Sequence, residues 1–324
     1  MIVDIHTRVW HSTDQLGSQI AQQLRRWRTD PWSSTDASAA TLYEAASPVE
    51  ATVVHGLVAD RLGAEVSAES VAEVVRRDPS RFMGFAGVDP TRRSAGAAID
   101  EAVKAGLVGV TLSPALSGFH PAATYAMDIF EQCEACDLPV MIESISHFAP
   151  QAMMDFAQPW LLDEPLRAFP KLKLVIGSLG YPFMEQTLTL VLKHEHVYTD
   201  VAGLTRRPWE LYNALIVAHQ RGATDRLLFG SGFPMAEPQE AIMACYSVNS
   251  IGQGTNLPSV PREQIRTIIE RDALTCLGLR DKLAAGRKLL AAGTSQAEAP
   301  ATMDHAEPDA AAKPTPAPAE EEQQ

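Results

Sequence analysis

The sequence predicts an α/β protein built as one (β/α)8 TIM barrel, and three observations carry that prediction. Eight apolar runs recur between Ile2 and Gly230, and each except the first is clearly followed by a stretch with helical spacing, the alternation that gives parallel strands with right-handed crossovers. Eight such units over roughly 250 residues is the size of a closed barrel. No glycine-rich G-x-G-x-x-G loop follows an early strand, which argues against an open doubly wound sheet.

The first run, Ile2 to Trp10, carries three ionisable groups. Read with a period of two, it places Asp4, His6 and Arg8 on one face and Val3, Ile5 and Val9 on the other. Buried charge must be paired, hydrated or bound to a ligand, so this strand end asks for a site. Leu16 to Ala46 follows, with Trp27, Trp32 and Pro31. It is long for a connection, and long insertions at this place often act as lids. Ala51 to Leu57 reads as a buried strand, Val71, Val74 and Val75 keep helical spacing, and Phe82 to Val88 is a third strand closed by Asp89-Pro90.

The alternation then continues without a break. A helix from about Ala97 to Ala105 precedes strand Val108 to Leu112, and a helix from Tyr125 to Cys136 precedes strand Pro139 to Ile142. A helix near Leu161 to Phe169 leads to strand Leu172 to Gly177, and helix Met184 to Lys193 to strand Val197 to Val201. Helix Pro208 to Gln220 leads to the last strand, Arg226 to Gly230, after which helices follow at Pro238 to Val248 and Arg262 to Leu277. The barrel is expected to span residues 1–293. Residues 294–324 are rich in Ala, Pro and Glu, with seven acids against one base and Met303 as the one large apolar residue. Such a segment cannot bury enough apolar surface to offset its ordering entropy, so a disordered, passive tail is expected.

Composition narrows the function. With 324 residues, 46% hydrophobic and 21% charged, the chain can bury a large core. No run of about 18 apolar residues exists, and Met1-Ile2-Val3-Asp4 lacks the basic start of a signal peptide, so a cytoplasmic protein without membrane contact is expected. The net charge of −13 argues against a nucleic-acid partner. Cys133, Cys136, Cys245 and Cys276 are too few and scattered for a disulfide framework. Cys133 and Cys136 form a C-x-x-C with no second pair to complete a zinc site, and are read as small core residues.

In a barrel of this kind the active site lies at the carboxyl ends of the strands. Those ends offer His6 and Arg8, His55, Asp89, Thr111 and Ser113, Glu143 and Ser144, Ser178, Thr199 and Asp200, then Ser231 and Gly232. His120 and His147 lie just beyond strands four and five.

Several segments resemble the amidohydrolase-related group, which includes aminocarboxymuconate semialdehyde decarboxylase and related lactonases. They are Asp4 to Thr7, Arg81 to Pro90, Leu138 to Ile142, Phe169 to Gly180 and Arg226 to Pro234, in the family's order from Ile2 to Leu279. The resemblance implies a barrel whose metal, where used, is held by H-x-H on strand one, a His on strand five, a His on strand six and an Asp on strand eight. The matching positions here are His6 and Arg8, Glu143, Ser178 and Gly232. One of five survives, and Arg8 would bring a fixed positive charge to the place of a dication. A site without metal or other cofactor is therefore expected.

Two readings stay open. In the first, the barrel has lost its metal and its hydrolytic chemistry and is an inactive or repurposed binding or scaffold member, with Arg8 and Glu143 as a salt bridge in the metal's place. In the second it is a metal-independent hydrolase or decarboxylase for a small carboxylated substrate, using His6, Arg8, Glu143 and Asp200, with His55, Ser178, Ser231 and Gly232 lining the site. Gly232, where the family has its proton-handling Asp, favours the first. Whether copies of the chain assemble into a homo-oligomer is not legible.

Overall fold

The computed structural model describes residues 1–27, 37–143 and 149–297. Its strands are β1 (Val3–Thr7), β2 (Ala51–His55), β3 (Leu57–Ala59), β4 (Ala64–Val66), β5 (Phe82–Val88), β6 (Gly109–Leu112), β7 (Val140–Ile142), β8 (Leu174–Ile176), β9 (Val197–Asp200) and β10 (Leu227–Leu228). Eight of them pair in parallel in the order β1-β2-β5-β6-β7-β8-β9-β10. The sheet closes on itself: Ile5 N donates to Phe229 O at 3.1 Å, Arg8 N to Phe233 O at 2.9 Å and Gly232 N to His6 O at 2.9 Å. Helices connect the strands, as the alternation of apolar runs predicts, so this is the (β/α)8 barrel.

Alternate side chains divide the core into two layers. Val3, Ile5, Val53, Phe85, Met141 and Val175 fill the barrel, whose floor is closed by Leu274, Leu277 and Leu283 from the chain after β10. Val54, Phe82, Val110, Ile142, Leu174 and Phe229 point outward into the larger cluster against the helices. The strand residues are almost all fully buried, the pattern of a parallel sheet covered on both faces.

Three features differ from the sequence reading. The first is β1, whose strict two-residue alternation fails. Its register against β2 shifts between Asp4 and Thr7, with Asp4 opposite Thr52 but Thr7 opposite Val54. One extra residue is thereby accommodated as a bulge. Val3 and Ile5 face the barrel interior, and after the bulge His6 and Arg8 do too, while Thr7 and Val9 turn outward. The second is the antiparallel hairpin β3–β4, which extends the second strand's exit and docks on β5.

The third is the segment from Leu16 to Ala46, read as a lid-like loop. Within the described residues it holds helices Ser18–Trp27 and Ala39–Ala45, and Leu16, Ile20, Leu24 and Leu42 are buried in the outer core. Of the C-x-x-C pair, Cys133 is buried and Cys136 exposed. The last helix, Arg280–Ala297, runs past Thr294; the rest of the expected tail, and Ser144 and His147, lie outside the described residues. No helix among the described residues is long and apolar enough to cross a membrane.

Candidate active site

The ends of β1, β7 and β9 bring His6, Arg8, Glu143 and Asp200 together at the carboxyl mouth. Glu143 follows Met141 by two and Asp200 follows Tyr198 by two, so each is inward-facing by strand parity. The β1 bulge supplies the same orientation for His6. All four are buried.

The imidazole of His6 is gripped on both edges. Nδ1 lies 2.9 Å from Asp200 Oδ2, and Nε2 lies 3.6 Å from Glu143 Oε1. Two glycines leave room for the ring. A Cβ on Gly177 would stand 3.1 Å from His6 Cε1, and one on Gly230 would stand 2.8 Å from His6 Cβ. Arg8 donates from a terminal guanidinium nitrogen to Glu143 Oε2, so Glu143 serves two cations. Arg8 Nε is also buried, and it has no hydrogen-bond partner among the described residues.

Asp200 is itself held in place. Its Oδ1 accepts from Ser178 N at 3.0 Å and Ala202 N at 2.8 Å, leaving Oδ2 for His6. Ser178 and its neighbour Leu179 both adopt φ of 52°, a left-handed conformation costly for residues with a Cβ. That turn is what points the Ser178 amide at Asp200. The contribution of Ser178 to the cluster is thus its backbone.

The electrostatics follow from this packing. Burial pushes the His6 imidazolium down, but the charges of Asp200 and then Glu143 outweigh it and raise His6 to about 10. Burial pushes Glu143 up, and Arg8 and then His6 outweigh it, holding the carboxyl well below the usual range. At neutral pH His6 is therefore an imidazolium and Glu143 a carboxylate.

The side chains of His55 and Ser231 lie beside this cluster but bond to other groups. His55 is fully buried, with Nδ1 2.8 Å from Thr111 Oγ1 and Nε2 2.8 Å from Ile5 O. Burial and then the charge of His6 lower it to about 3, so it is neutral. Ser231 is buried beside Asp4, its N donating to Asp4 Oδ1 at 2.9 Å and its Oγ accepting from Phe233 N at 3.0 Å. Gly232 has φ of 79° and its Cβ position lies 3.1 Å from Gly203 N, so the turn there favours glycine.

Asp89 is used by its own turn, accepting from Thr91 and from Asp60 N. His120 is exposed and accepts from Ala122 N. Asp4 is the residue whose face the strict alternation misassigned. It is buried on the outer side of β1, where Oδ1 accepts from Ser231 N and His6 N, and Oδ2 has no partner among the described residues.

A closed barrel whose ionisable groups converge from the first, fifth and seventh barrel strands is a (β/α)8 protein with its polar cluster at the end of the fold where catalysis is done. Residues 3–254 match the amidohydrolase family, and the chain belongs to it.

Solved structures agree on the fold. An uncharacterised TIM-barrel protein from Bordetella bronchiseptica is 20% identical with a TM-score of 0.66, over 87% of this chain and 99% of that one. A probable 2-pyrone-4,6-dicarboxylic acid hydrolase from Acinetobacter baumannii, with citric acid bound, is 16% identical with a TM-score of 0.58, over 86% and 99%. A dihydroxybenzoic acid decarboxylase from a Polaromonas species, with manganese and the inhibitor 2-nitroresorcinol, is 17% identical with a TM-score of 0.56, over 86% and 97%. No curated protein matches at the level of sequence.

Proposed function

We propose that the chain is a metal-independent amidohydrolase-family enzyme that removes carbon dioxide from a small carboxylated molecule. The observation that carries this reading is Arg8: a buried guanidinium with one nitrogen committed to Glu143 and Nε without an acceptor among the described residues. An unsatisfied buried donor costs ~1–3 kcal/mol, and the planar guanidinium edge is shaped for a carboxylate. A substrate carboxylate supplies the missing acceptor. Two of the structural neighbours carry names of enzymes for carboxylated rings, which supports the same substrate class.

The donor set does not fit a divalent cation. His6 Nε2 and Glu143 Oε1, 3.6 Å apart, have the spacing of two ligands of one ion. A catalytic zinc takes three protein ligands, yet Asp200 engages the opposite edge of the ring and the third neighbour is the positive charge of Arg8. Among the described residues no three His, Cys, Asp or Glu side chains are grouped to hold one ion.

With its proton held up to about pH 10, His6 is an acid at neutral pH. The step that uses an acid is protodecarboxylation: the bond from ring carbon to carboxylate breaks, its electron pair takes the His6 proton, and carbon dioxide leaves. Water then returns a proton to the imidazole. Asp200 fixes the ring and stabilises its cationic form. Hydrolysis would instead need a base for water, and Glu143, held well below the usual carboxylate range, is a poor one.

The test is elemental analysis of the purified chain, followed by hydroxybenzoates and pyrone carboxylates assayed for heat stabilisation and carbon dioxide release. Release that survives chelation and disappears in Arg8→Met is expected. About one bound metal per chain, required for release, would overturn the metal-independent reading. Heat stabilisation without release would leave the inactive binding member.

A further inference from the structure

The bulge that turns His6 inward leaves a carbonyl, Ile5 O, at a place where ladder geometry is disturbed. That carbonyl is met by His55 Nε2 at 2.8 Å, reaching across from β2. The next carbonyl, His6 O, accepts from Gly232 N on the β10 side. The bulge is therefore held from both flanking strands, by a side chain on one and a backbone amide on the other.

His55 is in turn fixed on every side. Its Nδ1 is 2.8 Å from Thr111 Oγ1, its ring packs edge-on against Phe85 with centroids 5.0 Å apart, and it is wholly buried. A carbonyl only accepts, so Nε2 carries the proton, and Nδ1 is left to accept from the Thr111 hydroxyl. The ring centroid of His6 lies 5.5 Å away. An apolar residue of similar volume would fill this space equally well but would orphan Ile5 O.

We propose that His55, oriented by Thr111, is a positioning residue: it pins the β1 bulge through Ile5 O and so keeps the His6 imidazole aimed between Asp200 and Glu143. It touches no reacting atom and carries no proton in the reaction. The inference rests on the reading of His6 as the proton carrier, but its test needs no substrate.

In the full chain the His6 Nδ1–H bonded to Asp200 should give a downfield, slowly exchanging proton resonance, assigned by its disappearance in His6→Gln. His55→Phe keeps the volume and removes the donor, and loss of the resonance is expected. His55→Gln, whose amide can reach Ile5 O, should restore it. If His55→Phe does not fold, Thr111→Val decides, because it keeps the imidazole but frees its orientation; the resonance should broaden or shift. An unchanged His6 resonance in a folded His55→Phe, or in Thr111→Val where that variant must decide, overturns the proposal and makes His55 a core filler. Failure to find any decarboxylated substrate, with the resonance behaving as expected, would sink the proposed reaction and leave the positioning role standing.

Discussion

Arg8 on β1 and Glu143 at the end of β7 form a buried ion pair between residues 135 apart in sequence, and the two partners are not equivalent. Arg8 gives its terminal nitrogen to Glu143, whereas Glu143 also faces His6 through its other oxygen. Removing the carboxylate orphans the Arg8 guanidinium and leaves His6 with Asp200 alone; removing the guanidinium leaves Glu143 facing His6.

A double-mutant cycle measures this asymmetry. Breaking a buried pair costs about 3–5 kcal/mol through the orphaned charge. Glu143→Gln is expected at the upper end of that range and Arg8→Met at the lower. The double variant should cost less than the sum. Denaturant unfolding of the four proteins checks it; near-neutral, additive singles would mean that the two side chains are solvated and apart.

His6 sets a pH dependence with a definite sign. Its value rises from 6.5 to about 10 on folding, so the folded chain binds this proton more tightly. The stabilisation is fully present below pH 6.5 and is lost as pH rises through 10. The unfolding midpoint of the wild type should therefore fall between pH 7 and pH 10 more steeply than that of His6→Gln. Parallel curves would mean that His6 is neutral in the folded protein.

The barrel was legible in the sequence because eight strand–helix units leave a period that composition cannot hide. The convergence of His6, Arg8, Glu143 and Asp200 was legible for a related reason: strand ends in a closed barrel share one mouth. The β1 bulge was not, since one inserted residue changes neither composition nor hydrophobicity. A strict alternation therefore grouped Asp4 with His6, when the fold sets them on opposite sides of the strand. The hairpin Leu57 to Val66 escaped because its first strand continues the apolar run of β2.

Asp4 gives a second pH signature, on the acid side. Burial is the main cause that raises its carboxyl from 3.8 to about 6, against the lowering effect of its bonds to Ser231 and His6. An acid whose folded value is raised favours folding most when protonated, below pH 3.8, and that contribution is lost as pH rises through 6. Asp4→Asn, which keeps an acceptor for both amides, should remove this component from the slope of stability between pH 4 and pH 6. An unaltered slope would place the titration elsewhere.

Gly230 tests whether the site depends on the close approach around His6. It follows Phe229, whose carbonyl closes the barrel onto Ile5, and a Cβ there would meet His6 Cβ at 2.8 Å and Asp200 Cγ at 3.4 Å. The first contact is too short to survive, and neither partner is the flexible end of a long side chain. Overpacking of this kind costs ~1–3 kcal/mol. Because the displaced groups are the two halves of the His6–Asp200 pair, Gly230→Ala should also weaken the interaction that raises His6, so the imidazole should titrate at lower pH than in the wild type. Gly177→Ala, with its nearest contact at 3.1 Å on the ring edge, should do the same to a smaller degree. Histidine-selective NMR titration of the three proteins checks the order; an unmoved His6 in a destabilised Gly230→Ala would mean that the strand yields as a unit and carries the pair with it.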